Sequence, residues 1–227
     1  MSANVIHPTA IIEGDVEMGE GNEILPFTVL RGPLKLGNRN LIGPHVVIGS
    51  PGQDTRNPRY DSSKSFIEIG DDNIIREFSA IQKPCYREIT KIGNRVFLMQ
   101  SVHIPHDAII DDDVVVTPMC VLAGITTLLR GANLGMGATV NQYSIVGQYS
   151  IVATGAAVMK NVKPFSKFIP NKPLGVNEYA IKKFGFSEHL EEIREFVLND
   201  IPPVTPKILE IVSAYTLLHK TSGREQY

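Results

Sequence analysis

The sequence predicts a mainly β fold: a left-handed parallel β-helix of six-residue repeats, followed by a short helical tail. An aliphatic residue recurs at every sixth position over long stretches, and a small or polar residue often follows it. Because an α-helix repeats every 3.6 residues and a strand every 2, a period of six indicates a short extended segment plus a corner, stacked repeatedly. After Val158 the rhythm changes to the three-to-four spacing that is typical of helices.

The six-residue rhythm falls into three runs separated by two breaks. The first break, about residues 49–66, is polar and rich in turn-forming residues, and the second, about residues 83–91, contains Pro84 and several charges. We expect both breaks to leave the β-helix as loops, so that the β-helix spans residues 1–165. The repeated positions are Ile6, Ile12, Met18, Ile24, Leu30, Leu36, Ile42, Ile48; Ile69, Ile75, Ile81; and Ile92, Leu98, Ile104, Ile110, Val116, Leu122, Leu128, Leu134, Val140, Val146, Val152, Val158.

Residues 166–227 are predicted to form the helical tail. Ser187 fits the N-cap of a first helix, which carries apolar residues on one face and ends before Pro202. Thr205 and Pro206 begin a second amphipathic helix. The apolar faces of these helices need cover, which either the end of the β-helix or a neighbouring subunit could supply.

Charge and cysteine content exclude several classes of partner. The formal net charge is −2 at pH 7, which gives no electrostatic reason to expect nucleic acid or an anionic membrane as the main partner. Cys85 and Cys120 fit neither a metal spacing nor a disulfide framework. The N-terminus has no basic segment before an apolar run, and no 18 consecutive residues are apolar. We therefore expect a soluble cytoplasmic protein without membrane insertion.

The best candidate for catalysis is a histidine cluster. His103 and His106 flank the inward-facing Ile104, and Asp107 follows. A neutral imidazole suits proton transfer near pH 7, and an adjacent carboxylate could orient it. An exposed turn with two polar residues is the alternative interpretation.

Three faces of six residues make a coil of 18, so residues 18 apart should form a column. His106, Gly124 and Gln142 are spaced in this way. The Gly124 amide could then act as an oxyanion donor beside the histidine, although a glycine there could also serve only to turn the corner.

No metal site is predicted. Zinc sites on trimeric solenoids of the γ-carbonic-anhydrase type use three histidines, two from one subunit and one from its neighbour. Here no third histidine stands one coil above or below the pair, where Val121 and Gly124 occur.

The segment from His103 to Asp107 resembles the His-Ile-Ala-His-Asp motif of the UDP-N-acetylglucosamine acyltransferases of lipid A biosynthesis. Further segments resemble that family in the same order along roughly the first 190 residues: Ile6 to Ile11, Gln53 to Arg56, Ile75 to Glu77, Leu122 to Gly124, Gly175 to Asn177 and Lys182 to Ser187. Together these matches are specific, whereas each segment other than the histidine motif is weak alone.

The resemblance implies a homotrimer with active sites between neighbouring prisms, no tightly bound cofactor, and transfer of an acyl group from an acyl-carrier-protein or coenzyme A thioester to a nucleotide sugar. His106 would be the general base, Asp107 its orienting carboxylate and Gly124 the oxyanion donor. The implied substrate contacts are Gln53, Asp54, Arg56, His103, Gln142, Asn177 and Lys183, the last two toward the nucleotide end.

Several departures from the family pattern favour a relative of the lipid A enzyme over that enzyme itself. Ile125, Asn141 and Gln82 stand where the family has histidines, so the polar surroundings of the substrate differ. Thr154 replaces a glycine that admits a long acyl chain, which predicts a short acyl group, with or without a 3-hydroxyl. The acceptor could be a hydroxyl or an amine. The alternatives are the lipid A enzyme proper and, from another class, a non-catalytic hexapeptide-repeat scaffold.

Overall fold

The computed structural model describes residues 3–54, 56 and 65–227. Over these ranges the chain folds into a left-handed parallel β-helix with three sheets, followed by a short helical C-terminus. Successive strands pass from one sheet to the next, so each sheet takes every third strand of the solenoid. The predicted fold class is confirmed.

The strands are short and are numbered in chain order. The sheet of ten contains β1 Val5–Ile6, β4 Glu23–Ile24, β7 Leu41–Ile42, β10 Ile74–Ile75, β13 Phe97–Leu98, β16 Val115–Val116, β19 Asn133–Leu134, β22 Ile151–Val152, β24 Ser166–Phe168 and β25 Gly175–Val176. The sheet of eight contains β2 Ile11–Glu13, β5 Val29–Arg31, β8 Val47–Ser50, β11 Ala80–Gln82, β14 His103–Ile104, β17 Val121–Leu122, β20 Thr139–Val140 and β23 Ala157–Val158. The sheet of seven contains β3 Val16–Met18, β6 Leu34–Leu36, β9 Phe66–Ile69, β12 Ile89–Ile92, β15 Ile109–Ile110, β18 Thr127–Leu128 and β21 Ile145–Val146.

The repeated aliphatic side chains form the core of the prism. In the uninterrupted run Ile104, Leu122 and Val140 lie one above another, and their strands pair in register. These three side chains are buried, and the burial of each contributes about 1.5–3 kcal/mol to folding. At the N-terminal end Ile6 and Ile12 remain exposed, because no further coil covers them.

The breaks in the rhythm fall between strands, as predicted. The chain leaves the prism after β8 and returns at β9, and it leaves again after β11 and returns at β12. Residues 55 and 57–64 of the first predicted loop lie outside the described residues. The sheet also continues past the predicted boundary at residue 165, since β24 pairs with β22 and β25 runs antiparallel to β24.

The helical tail contains α1 Glu178–Lys183, a 3₁₀ turn Ser187–His189, α2 Leu190–Asn199 and α3 Pro206–Ser222. The predicted capping role of Ser187 is wrong: Phe186 precedes the 3₁₀ turn without a side-chain cap, and α2 begins three residues after Ser187. Helix α3 begins at Pro206 with Thr205 before it, as predicted. Within the ranges described, no helix is long and apolar enough to cross a bilayer.

Candidate active site

A cleft of about 820 Å³ lies along the edge of the eight-stranded sheet where β14 and β17 end. Seven of the predicted site residues line it. Its lining is Gln53, Asp54, Arg56, Gln82, His103, Pro105, His106, Val121, Leu122, Ala123, Gly124 and Gln142. The 18-residue spacing therefore brings His106, Gly124 and Gln142 to one place, as the sequence predicts.

His106 lies at this edge, and its ring is oriented by a hydrogen bond to Asp107. Its Nδ1 lies 2.7 Å from Oδ2 of Asp107. A carboxylate can only accept, so in the neutral imidazole Nδ1 carries the proton and Nε2 is the acceptor nitrogen. The imidazole is only 7% exposed but does not belong to the apolar core of the prism. This arrangement prepares Nε2 to accept a proton from a group bound in the cleft.

Asp107 is fully buried and is fixed by the backbone of the second loop. The amides of Cys85 and Tyr86 donate to its carboxylate at about 3.1 Å, and that of Arg87 donates at 2.6 Å. Burial opposes ionisation, but the hydrogen bonds from the His106 ring and from these amides outweigh it, so the pKa of Asp107 lies below its ordinary value. The carboxylate is thus ionised and can orient His106.

Gly124 packs directly against the Cε1–Nε2 edge of the His106 imidazole. A Cβ at this position would fall 2.2 Å from Cε1 and 2.4 Å from Nε2 of His106, so only glycine fits. Among the described residues the Gly124 amide donates to no acceptor, while its carbonyl accepts from Tyr143. An N–H without an acceptor, on a residue that contacts the imidazole, can serve as an oxyanion donor.

The first loop reaches the cleft through Asp54 and Arg56. Arg56 donates to both carboxylate oxygens of Asp54, at 2.8 and 2.7 Å, and the Tyr86 hydroxyl donates to Asp54 as well. The bonds from Arg56 first and then from Tyr86 hold the pKa of Asp54 well below its ordinary value. The Arg56 side chain is 84% exposed, so its outer edge is open to an anionic ligand.

Tyr86 joins the two loops to the histidine. Its ring lies 5.8 Å from the His106 ring, and its hydroxyl bonds to Asp54. Gly52 completes the junction, because a Cβ there would fall 2.3 Å from the Cys85 sulfur. Described residues of both loops are therefore packed around His106.

His103 and Gln142 line the cleft together with His106. His103 lies on β14 and Gln142 stands two coils above His106. Burial, and then repulsion from His106, lower the pKa of His103. A neutral His103 can both donate and accept a hydrogen bond, which suits contact with a substrate.

Comparison with known proteins identifies the family. No family model matches the chain. A relative from Alkalilimnicola ehrlichii, named acyl-[acyl-carrier-protein]–UDP-N-acetylglucosamine O-acyltransferase, is 30% identical over 152 residues, which cover 65% of this chain and 58% of the relative. A relative of the same name from Syntrophobacter fumaroxidans is 32% identical over 191 residues, 82% of this chain and 73% of the relative. The chain belongs to this O-acyltransferase family. It spans less than two thirds of the length of the first of these relatives.

Solved structures of acyltransferases of this kind share the fold. The UDP-N-acetylglucosamine acyltransferase of Francisella novicida superimposes with a TM-score of 0.80 at 26% identity, covering all of this chain and 92% of that one. The acyltransferase of Bacteroides fragilis gives a TM-score of 0.78 at 25% identity, covering 99% of this chain and 98% of that one. The resemblance seen in the sequence is thereby confirmed.

Four residues predicted from the O-acyltransferase family do not line the cleft of this chain: Asp107, which contacts His106 from outside the cleft, and three residues that lie elsewhere. Asn177 instead caps α1, where its side chain accepts from Ala180 and donates to the Tyr149 carbonyl. Lys183 ends the same helix with its ammonium over the Phe184 ring. Thr154 is exposed at another corner, since it lies two coils and two further faces beyond His106. That Asn177, Lys183 and Thr154 contact substrate stays a prediction. Such contacts would require the cleft of a neighbouring subunit.

Two residues that bear on the site were not among the predicted site residues. Gln82 ends β11 and lines the cleft, and Tyr86 lies in the second loop, where it contacts His106 and Asp54. The column arithmetic fails across this loop, because the extra residues interrupt the 18-residue spacing. The usable signals were the position of Gln82, where the family has a histidine, and the aromatic residue within the second break. In the portion of the chain that the structure covers, no three His, Cys, Asp or Glu side chains are grouped to hold a metal ion.

Proposed function

We propose that the chain transfers an acyl group from an acyl-carrier-protein thioester to a hydroxyl of a nucleotide sugar of the UDP-N-acetylglucosamine type. The observation that carries this proposal is the His106–Asp107 pair, whose Nε2 edge packs against Gly124 in an open cleft. The names of the relatives supply the substrates. A short acyl group is part of the proposal and rests on Thr154.

The chemistry follows from the two groups that face each other. Nε2 of His106 accepts the proton of the acceptor hydroxyl while the hydroxyl oxygen forms a bond to the thioester carbonyl carbon. The Gly124 N–H stabilises the oxyanion that forms. When the carbonyl is restored, the carbon–sulfur bond breaks and His106 returns the proton to the leaving thiolate. The Asp107 carboxylate stabilises the imidazolium between these steps.

The purified chain is expected to convert UDP-N-acetylglucosamine and acyl-acyl carrier protein into an acylated nucleotide sugar and free carrier-protein thiol. Mass spectrometry of the nucleotide sugar would show the mass of one acyl group added, and alkaline hydroxylamine would remove it if the bond is an ester. Parallel reactions with acyl-coenzyme A identify the donor. If the chain binds the nucleotide sugar in calorimetry but neither donor gives a product, the scaffold interpretation replaces this proposal.

We propose further that the protein is a homotrimer whose subunits cover the eight-stranded sheet. Exposed apolar side chains occupy the corner that leads into that sheet, with Phe78 58% and Met119 64% exposed, and Val121 is 48% exposed in the cleft itself. Phe27, His45 and Phe78 stack there with ring centroids 4.9 and 5.3 Å apart. A neighbouring prism would bury this surface and close the cleft. It could also bring Thr154, Asn177 and Lys183 to the substrate.

Sedimentation equilibrium at micromolar protein is expected to give about three times the chain mass of 25.0 kDa. Met119→Glu should shift the protein toward the monomer, because it places charge in the proposed interface, whereas Leu198→Glu is a control at an exposed apolar residue of α2, outside the eight-stranded sheet. A stable monomer of the unmodified chain would contradict the trimer.

A further inference from the structure

Gln82 carries a buried polar group without a partner at the floor of the cleft. Its side chain is 4% exposed, and Oε1 has no hydrogen-bond donor among the described residues. Gln82 also lines the cleft that contains His106. Leaving a buried acceptor unpaired is energetically costly, so an unpaired acceptor that also lines a cleft points to a ligand that supplies the donor.

The position of Gln82 assigns it to one side of the reacting centre. It ends β11, which pairs with β8 on one side and with β14 on the other. The first loop leaves the prism directly after β8, so Gln82 lies between Asp54 and the histidines. Gly124 and Gln142 stand on the opposite side of His106, one and two coils further along the solenoid.

This order separates the two substrates. In the proposed mechanism the Gly124 amide binds the thioester carbonyl oxygen. The acyl donor therefore occupies the side of His106 on which Gly124 and Gln142 lie. The acceptor hydroxyl approaches Nε2 from the side of the first loop, where Gln82 lies. Gln82 therefore faces the acceptor rather than the acyl donor.

The charges nearby restrict which group Gln82 can bind. Asp54 is the sole carboxylate among the described residues that line the cleft, and it already accepts from Arg56 and Tyr86. A buried ammonium would thus lack a free counter-charge, and its desolvation would be costly. A neutral hydroxyl or amide N–H has no such requirement and needs one acceptor oxygen.

We propose that Gln82 is a specificity-determining residue that accepts a hydrogen bond from a neutral hydroxyl or amide N–H of the acceptor sugar. This inference rests on the proposed function. A neutral amide at this position selects an acceptor whose donor group next to the reacting hydroxyl is uncharged. An acceptor that carries an ammonium there is bound more weakly.

The test compares Gln82→Leu with the unmodified chain, since leucine keeps the bulk of the side chain and removes its hydrogen bonds. The KM for UDP-N-acetylglucosamine should rise about tenfold, and the acyl-donor KM should stay unchanged. The melting temperature of the ligand-free protein should not fall, because no hydrogen bond within the chain is lost. A structural role would lower it.

Gln148→Leu is the matched control, because Gln148 is also buried with an unpaired Oε1 but does not line the cleft. It should leave both KM values unchanged. An unchanged acceptor KM in Gln82→Leu, or an equal rise in Gln148→Leu, would overturn the inference. Calorimetry tests the Gln82 contact separately from the proposed acyl transfer. If the unmodified chain binds the sugar without turnover, weaker binding by Gln82→Leu still supports the contact. If the unmodified chain does not bind the sugar, both proposals fail.

Discussion

Replacing His106 by alanine is expected to lower kcat by about 10²–10⁴-fold, the range for loss of a general base. The fold should survive, because the imidazole lies outside the apolar core and Asp107 keeps its bonds from three backbone amides. Steady-state kinetics with both substrates, together with thermal melting and calorimetric binding of the nucleotide sugar, measure these effects separately.

His103→Ala is the control for this substitution. It removes a second imidazole from the same cleft but not the one that contacts Asp107, so the loss of kcat should be smaller than at His106. Full activity of His106→Ala would rule out the mechanism. A collapse of stability in His106→Ala would instead show that the ring has a structural role.

Gly124→Ala should reduce kcat by about 10²–10³-fold, comparable to removal of an oxyanion donor. The added methyl group would fall 2.2 Å from the His106 ring, so either the ring or the Gly124 backbone must move. Either movement changes the position of Nε2 relative to the Gly124 amide. Turnover with saturating substrates is the measurement, and the melting temperature should also fall because of the clash.

Two further variants test whether the clash with His106 causes the loss of stability in Gly124→Ala. In the His106→Ala background the added methyl group has space, so Gly124→Ala should there cost little further stability, a coupling that a double-mutant cycle measures. Gly175→Ala is a neutral control, since a Cβ at Gly175 has no neighbour closer than 3.7 Å. Equal destabilisation by Gly124→Ala in both backgrounds would contradict the proposed contact.

The fold was predictable because the solenoid has a simple geometric rule. In the uninterrupted run from β13 to β23 each strand contributes one aliphatic residue to the core of the prism, so a chain that keeps the six-residue phase reveals both the strands and the 18-residue stacking. The same rule placed His106 and Gly124 together. It also shows why Thr154 stands at another corner: its separation from His106 is not a multiple of 18.

The other residues at the site could not be predicted in this way, because their positions depend on contacts that the six-residue repeat does not encode. Tyr86 reaches His106 from a loop whose path is set by hydrogen bonds of its backbone to Asp107, and Gln82 enters the cleft from the end of β11 just before that loop. Asn177 matches the family motif, yet its amide is used to cap α1 and to bind Tyr149. Sequence patterns located His106, Gly124 and Gln142 in the same coil stack, whereas residues on or beside irregular segments needed coordinates.

The most direct test of the central claim is a crystal structure of the protein soaked with UDP-N-acetylglucosamine. We expect the sugar in the cleft with one hydroxyl within about 2.6–3.2 Å of His106 Nε2 and a neutral donor group at Gln82 Oε1. Density for the sugar away from His106, or with no hydroxyl in reach of Nε2 directly or through one water, would contradict the assignment of His106 as the general base.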